Sequence, residues 1–158
     1  MIKNDIIGTD NPLSDDQRRI LAIVLDLIIP ASEDGQRPSA ADVDVLGYIR
    51  ENESHTLDGL RAELDQLNAE AFESQGEAFA SLDPATCKAV VDAVREREPQ
   101  FMRTLAMQTA TCYYRDDRVL EAIGVGARPP FPEGYEVPSG DLSLLEPVRR
   151  RGRVYRDA

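Results

Sequence analysis

Apolar side chains recur with helical spacing over most of this chain, and they are densest near its beginning. A capping box of Ser14 and Gln17, with two acidic residues in the first turn, predicts the start of a helix that Pro30 ends. The helix is more apolar than a single buried stripe requires, so we expect it to be covered on most sides. Its apolar residues are Ile20, Leu21, Ile23, Val24, Leu25, Leu27 and Ile28.

Turn and capping residues divide the middle of the chain into further helices. A polar loop leads to a second helix that begins after Ser39. An amphipathic third helix with an acidic outer face extends from about Thr56 to Ala80. Pro84, preceded by Asp83 as the N-cap, then opens a fourth helix.

Proline and glycine mark the last helices. Pro99 ends the fourth helix and begins a fifth, and a short sixth helix ends at Gly124. The pattern therefore predicts an all-α fold, an irregular bundle of about five or six helices with a long extended proline-rich C-terminal arm. We expect one domain, with an N-terminal segment at 1–13, the helical bundle at 14–124 and a partner-binding arm at 125–158.

The net charge of −11 over 158 residues argues against two classes of partner. Nucleic acids and anionic membrane surfaces both attract basic surfaces, so we expect neither. No apolar run approaches the roughly 20 residues of a membrane span, so we expect no membrane insertion. The first fourteen residues contain no twin-arginine pair and no signal-peptide pattern. We therefore expect a cytoplasmic location, with the periplasm as the alternative if a partner carries the export signal.

Side chains that could carry out chemistry are scarce. His55 lies in a polar stretch, where we expect it to be exposed or to help cap the third helix. Cys87 and Cys112 form no metal motif, and buried free thiols are favoured over a disulfide. Phosphate-binding loops, dinucleotide fingerprints and Glu-x-x-His pairs are absent. Tyr113 and Tyr114 are expected to pack, with a redox or acid–base role as the alternative. The residues therefore predict no catalytic set, no cofactor site and no metal site.

The C-terminal segment has a different character. It combines five prolines between residues 126 and 147 with large apolar residues and six arginines. Prolines and the residues before them are restricted to extended conformations, so docking such a segment costs less chain entropy. Its arginines can form forked pairs with carboxylates. We predict an arm that wraps a partner, with a disordered tail as the alternative.

Both ends of the chain carry recurring motifs. The first helix has an L-x-x-x-Q-R start and an I-I-P-A end. The second half contains Y-Y-x-D-x-x-V, then G, then P-P-x-P-x-G-Y, and finally L-L-x-P-V-R-x-R. The residues of these later motifs are Tyr113, Tyr114, Asp116, Val119, Gly124, Pro129, Pro130, Pro132, Gly134, Tyr135, Leu144, Leu145, Pro147, Val148, Arg149 and Arg151. This order closely resembles the gluconate 2-dehydrogenase subunit 3 family, the small subunits of flavin-dependent dehydrogenases.

The resemblance implies a non-catalytic accessory subunit that holds no cofactor itself. Its partner would be a large FAD-dependent subunit of the glucose-methanol-choline type that oxidises a sugar, glycoside or polyol. This chain would stabilise that subunit and assist its maturation, and a cytochrome or another electron acceptor is a further candidate partner. A stand-alone helical binding or scaffold protein is the alternative, and an enzyme that uses the tyrosines or carboxylates is a third hypothesis.

The residues expected at the partner interface are the aromatic helix end, the proline-rich stretch, and the apolar residues and arginines that follow it. They are Tyr113, Tyr114, Arg128, Pro129, Pro130, Phe131, Pro132, Tyr135, Leu144, Leu145, Arg149, Arg151, Arg153, Tyr155 and Arg156.

Overall fold

The computed structural model of the chain describes residues 12–127, 134 and 139–152, and these residues confirm the predicted all-α fold. They contain no strand. The α-helices are α1 Asp15–Ile28, α2 Val45–Asn52, α3 Leu57–Gln75, α4 Pro84–Arg97, α5 Pro99–Tyr113, α6 Asp117–Ala122 and α7 Glu146–Arg150. Short 3-10 turns occupy Ala40–Asp42, Ser54–Thr56, Phe79–Ser81 and Leu142–Leu145.

The chain divides into two compact units, Met1–Ala127 and Arg128–Ala158. The first unit contains α1 to α6 and every buried apolar residue among those described. The second contains α7 and the 3-10 turn before it, which the sequence analysis did not predict. This turn forms because the Asp141 carboxylate accepts a hydrogen bond from the Ser143 amide at 2.9 Å. Most of the proline-rich stretch, at 128–133 and 135–138, lies outside the described residues.

Helix α1 is the element around which the first unit is built. The predicted capping box is present: the Gln17 amide donates to Ser14 Oγ at 3.2 Å, and the Ser14 amide donates to Gln17 Oε1 at 3.0 Å. The helix contacts α3, α4, α5 and the 3-10 turns at 40–42 and 79–81. Its fully buried residues are Ile20, Leu21, Val24 and Leu25. Three other apolar residues, Ile23, Leu27 and Ile28, are only half-buried, so α1 is covered on one broad face and less fully than expected.

Helix α3 ends five residues earlier than predicted. Gly76 adopts the left-handed conformation, with φ of 78°, and its amide donates to the Phe72 carbonyl at 3.0 Å. Such a glycine terminates a helix because it reaches this conformation without the steric cost of a Cβ atom. Phe79 still enters the core, because a separate 3-10 turn carries it there and the Asn68 side chain accepts its amide hydrogen at 3.0 Å.

The second helix begins later than predicted. Ser39 caps the 3-10 turn at 40–42, where its hydroxyl accepts a hydrogen bond from the Ala41 amide at 3.1 Å. Asp44 is the N-cap of α2 and accepts from the Gly47 amide at 2.9 Å. The predictions that Asp83 caps α4 and that Pro99 opens α5 are confirmed.

We expect replacement of Val24 by Asp to unfold the bundle. Val24 is fully buried on α1, and an unpaired carboxylate there costs several kcal/mol, roughly the stability of a small domain. Ala22→Asp is the matched control, because Ala22 is exposed on the same helix. Circular dichroism melting measures both variants. Equal melting temperatures for Val24→Asp and the wild type would show that this face of α1 is not the core.

Candidate partner-binding site

The Y-Y-x-D-x-x-V motif lies where α5 meets α6, and two of its four defining side chains, Tyr113 and Val119, are buried. Tyr113 is 2% exposed, and its hydroxyl donates to the Pro38 carbonyl at 2.9 Å. Val119 is fully buried, and Gly124 follows α6 with φ of 76°. A side chain as buried as that of Tyr113 offers a partner almost no surface. Tyr113 is therefore a packing residue of the bundle, as one prediction expected. Its burial does not fit its inclusion among the predicted interface residues.

Asp116 and Arg118 tie this junction to the loop after α1. Asp116 is the N-cap of α6, and its two carboxylate oxygens accept from the Arg118 guanidinium at 2.9 Å each. These hydrogen bonds from Arg118 hold the pKa of Asp116 below its ordinary value. The same guanidinium donates to the Asp42 carbonyl at 2.9 Å. Together with the Tyr113 contact to Pro38, this arrangement fixes the 38–42 segment against the end of α5.

Tyr114 is the member of the motif that reaches the surface. Its side chain is 53% exposed, and its ring meets the Tyr113 ring edge-on at 5.4 Å. Met107, two turns earlier on α5, is 63% exposed, and Thr111 between them is also exposed. Residues seven apart lie on the same side of a helix. Met107, Thr111 and Tyr114 therefore form an exposed stripe along α5 that is suited to contact another surface.

Two adjoining grooves flank α1, and Leu27 lines both of them. The first groove, between α1, α4 and α5, has a volume of about 550 Å³ and contains Leu27, Ile28, Val91, Pro99, Met102 and Ala106. Lys88, Asp92, Arg95 and Arg103 form its rim. The second groove has a volume of about 490 Å³, and its apolar part is formed by Ala22, Ile23, Leu27, Ala31, Ala41, Leu82 and Pro84. The half-buried residues of α1 therefore line concave apolar surfaces, a typical feature of protein interfaces.

The second compact unit also presents apolar side chains. The predicted interface residues Leu144 and Leu145 are 73% and 44% exposed, and Leu142 and Val148 beside them are 66% and 58% exposed. Arg149 pairs with Glu146 at 3.0 Å, and Arg151 is exposed. The other predicted interface residues lie outside the described residues, and their roles stay predictions: Arg128, Pro129, Pro130, Phe131, Pro132, Tyr135, Arg153, Tyr155 and Arg156.

The two cysteines and the one histidine of the chain all lie among the described residues. Cys87 and Cys112 are free and buried, as the favoured interpretation predicted, and burial raises the pKa of both thiols. A thiol with a raised pKa is a poor nucleophile at neutral pH. His55 is exposed on the 3-10 turn at 54–56. No group of acidic, histidine or cysteine side chains in the described ranges could hold a metal ion. Within these ranges, every helix is too short or too polar to cross a membrane.

Comparison with known proteins gives one match. The family model described as gluconate 2-dehydrogenase subunit 3 matches residues 15–126. The chain belongs to this family. No curated protein and no solved structure gives a significant match. The matched range spans α1 to α6, so the family is shown by the helical bundle, whereas the proline-rich motifs that also carried the resemblance lie beyond it.

The grooves and the role of Arg118 were not predicted from the sequence. The grooves had a signal in the sequence, because α1 has more apolar residues than one buried face can hold. The contacts of Tyr113 with Pro38 and of Arg118 with Asp42 join residues that are 75 and 76 positions apart. No local pattern predicts such pairs.

We expect Tyr113→Phe to lower stability and Tyr114→Phe to leave it unchanged. Loss of the hydrogen bond to Pro38 costs about 1 kcal/mol, which corresponds to a fall of about 2–4 °C in Tm for a chain of this size. Tyr114 provides the matched control, because its ring is exposed and adjacent. Thermal melting of the two variants measures the difference, and equal Tm values would show that the Tyr113 hydroxyl does not hold the loop.

Proposed function

We propose that this chain is a non-catalytic accessory subunit of a heteromeric flavin-dependent oxidoreductase. The observation that carries the proposal is the family match over residues 15–126, because the family is named for a subunit of gluconate 2-dehydrogenase. The partner in this proposal is a large FAD-bearing subunit of the glucose-methanol-choline type that oxidises a sugar, glycoside or polyol. This chain stabilises that subunit and assists its maturation, holds no flavin, and leaves electron transfer to the partner and a cytochrome or other acceptor.

The chemistry of the described side chains supports a non-catalytic role. Several carboxylates whose pKa is lowered are engaged in structural contacts: Asp83 caps α4, Asp92 pairs with Lys88, and Asp116 caps α6. The thiols are buried and have raised pKa values. General acid–base catalysis needs a titrating group within hydrogen-bond reach of a substrate. At neutral pH the carboxylates with lowered pKa values stay ionised and the thiols with raised pKa values stay protonated, so neither set exchanges protons readily there.

The grooves beside α1 and the C-terminal arm are the surfaces proposed to hold the large subunit. Burial of apolar surface supplies about 25 cal/mol per Å², so a groove filled by partner side chains contributes substantial affinity. Interface energy usually concentrates in a few well-packed residues. Leu27 is the first candidate, because it lines both grooves and is already half-buried on a rigid helix.

We expect Leu27→Glu to weaken the complex with the large subunit by about 2 kcal/mol or more, about 30-fold in Kd. The new carboxylate can reach solvent at the groove edge, so the chain stays folded. Gln66→Glu adds the same charge at an exposed position on α3, outside both grooves, and is the control. A chain truncated after Ala127, the end of the first unit, tests the arm separately.

Co-purification with the large subunit measures both contributions, and melting curves of the isolated variants confirm that they are folded. Full retention of the complex by the truncated chain would assign binding to the helices. Full retention by Leu27→Glu would remove the grooves from the interface. A wild-type chain that is stable and monomeric, and that recruits no dehydrogenase subunit when the two are co-expressed, would favour the stand-alone binding protein.

We expect visible flavin absorbance in the purified complex and none in this chain alone, because the proposal assigns FAD to the large subunit. If the chain assists maturation, the large subunit expressed without it should contain less flavin per polypeptide. Absorbance spectra after desalting make the comparison. Flavin retained by the isolated chain would contradict the assignment of the cofactor to the partner.

A further inference from the structure

A third cavity lies on the side of α5 that faces away from the grooves. It has a volume of about 240 Å³ and is lined by the 3-10 turn at 54–56, the first turns of α3 and the first half of α5. It shares no lining residue with either groove. Its apolar walls are Leu60, Phe101 and Leu105, and its polar lining residues include His55, Glu63 and Gln108.

Glu63 is the unusual residue of this cavity. Its Oε2 atom is buried and has no hydrogen-bond partner among the described residues. A buried polar atom without a partner is costly, and a charged one is more so. Burial raises the pKa of the Glu63 carboxyl, and the nearby Glu98 carboxylate raises it further. Glu63 therefore lines the cavity as a partly buried residue, and its buried Oε2 atom lacks the donor that would stabilise the charge of the carboxylate.

The groups around Glu63 do not compensate its charge. Glu98 has the same sign. Glu53 accepts a hydrogen bond from Gln108 Nε2 at 2.7 Å, and Thr56 Oγ1 accepts from the same amide at 3.2 Å, so the Gln108 amide is already engaged. His55 is the one basic residue in the lining, and it is exposed. None of the ion pairs in the described part of the chain includes Glu53, Glu63 or Glu98. The local charge is negative.

We propose that this cavity binds one organic cation, a guanidinium or primary ammonium group, whose N–H groups donate to Glu63. A volume of about 240 Å³ is below the roughly 300–1,000 Å³ of sites for drug-sized ligands and suits the end of a single basic side chain. A guanidinium or ammonium group beside the carboxylate forms a charge-assisted hydrogen bond with it, which is stronger than a neutral one. Phe101 also lines the cavity, and an aromatic ring stabilises a cation that lies over its face.

The cation has two possible sources with the same chemistry. It is either a free alkylammonium or guanidinium compound, or a lysine or arginine side chain of the dehydrogenase partner. Only the second source rests on the proposed function. Glu63→Gln removes the charge in both cases and keeps the shape of the side chain. Glu73→Gln is the matched control, because Glu73 is an exposed carboxylate on the same helix.

The first experiment uses the full chain with methylguanidinium or n-butylammonium at neutral pH. We expect a saturable rise in Tm for the wild type and for Glu73→Gln, and no such rise for Glu63→Gln. The second experiment uses the complex with the large subunit, where we expect Glu63→Gln to weaken binding about tenfold and Glu73→Gln to leave it unchanged. A response in the first alone identifies a free cation, and a response in the second alone identifies a partner side chain. If Glu63→Gln matches the control in both, the proposal is wrong.

Failure of the proposed accessory-subunit function can be distinguished from failure of the cation-binding proposal. If no dehydrogenase subunit binds the wild-type chain, the titration with the two small cations decides the proposal by itself. In that case, equal responses of the wild type and Glu63→Gln overturn it.

The pH dependence of stability tests the premise of the proposal. Because the folded-state pKa of Glu63 is raised, its ionised form costs stability at neutral pH, and this cost disappears as the pH falls toward the ordinary value of 4.5. Without added cation, Glu63→Gln should therefore have the higher Tm at neutral pH, and the difference should vanish on acidification. His55 in the cavity lining, Glu53 hydrogen-bonded to Gln108 and the nearby Glu98 are present in both proteins. Equal Tm values at every pH would remove the basis of the proposal.

Discussion

The first unit depends on the burial of α1. An isolated helix of 14 residues is marginal in water, so α1 persists because α3, α4 and α5 pack around it. Each of its four buried aliphatic side chains contributes on the order of 1.5–3 kcal/mol when removed from water. The capping box determines where the helix begins, and the surrounding helices determine which of its faces is covered.

The last turn of α1 and the residue after it hold the loop that follows through two hydrogen bonds. The Ala40 amide donates to the Ile29 carbonyl at 2.9 Å, and the Ser39 hydroxyl donates to the Asp26 carboxylate at 2.6 Å. Tyr113 and Arg118 then bind carbonyls of the same loop from the other side. Tyr113 and Asp116 of this motif are thus explained by the fold of the bundle, whereas Tyr114 is exposed. Its value for recognising the family does not imply that its side chains contact a partner.

Local signals made much of the fold predictable. The capping box, the Asp83–Pro84 pair and Pro99 act on the backbone within a few residues, so their effects could be derived from the sequence. The end of α3 was missed because apolar spacing continues to Phe79, although Gly76 is a strong terminator.

The grooves and the cavity at Glu63 were less predictable than the helices, since both depend on tertiary packing. Glu63 has the same sequence context as the solvated acidic face of an amphipathic helix. In the fold its Oε2 atom is buried, and residues of α5 line the same cavity as Glu63. The grooves likewise exist because α4 and α5 leave part of α1 uncovered.

Helix α5 gives the bundle two chemically different sides. Pro99, Met102 and Ala106 line an apolar groove with a rim that carries more cations than carboxylates. Phe101, Leu105 and Gln108, on the opposite flank, line the cavity with the unpaired Glu63 oxygen. Apolar burial is strong but has no direction, whereas a charge pair favours one arrangement over others. In the proposed complex, the grooves therefore supply affinity, and a cation bound at Glu63 would determine how the large subunit is oriented on the bundle.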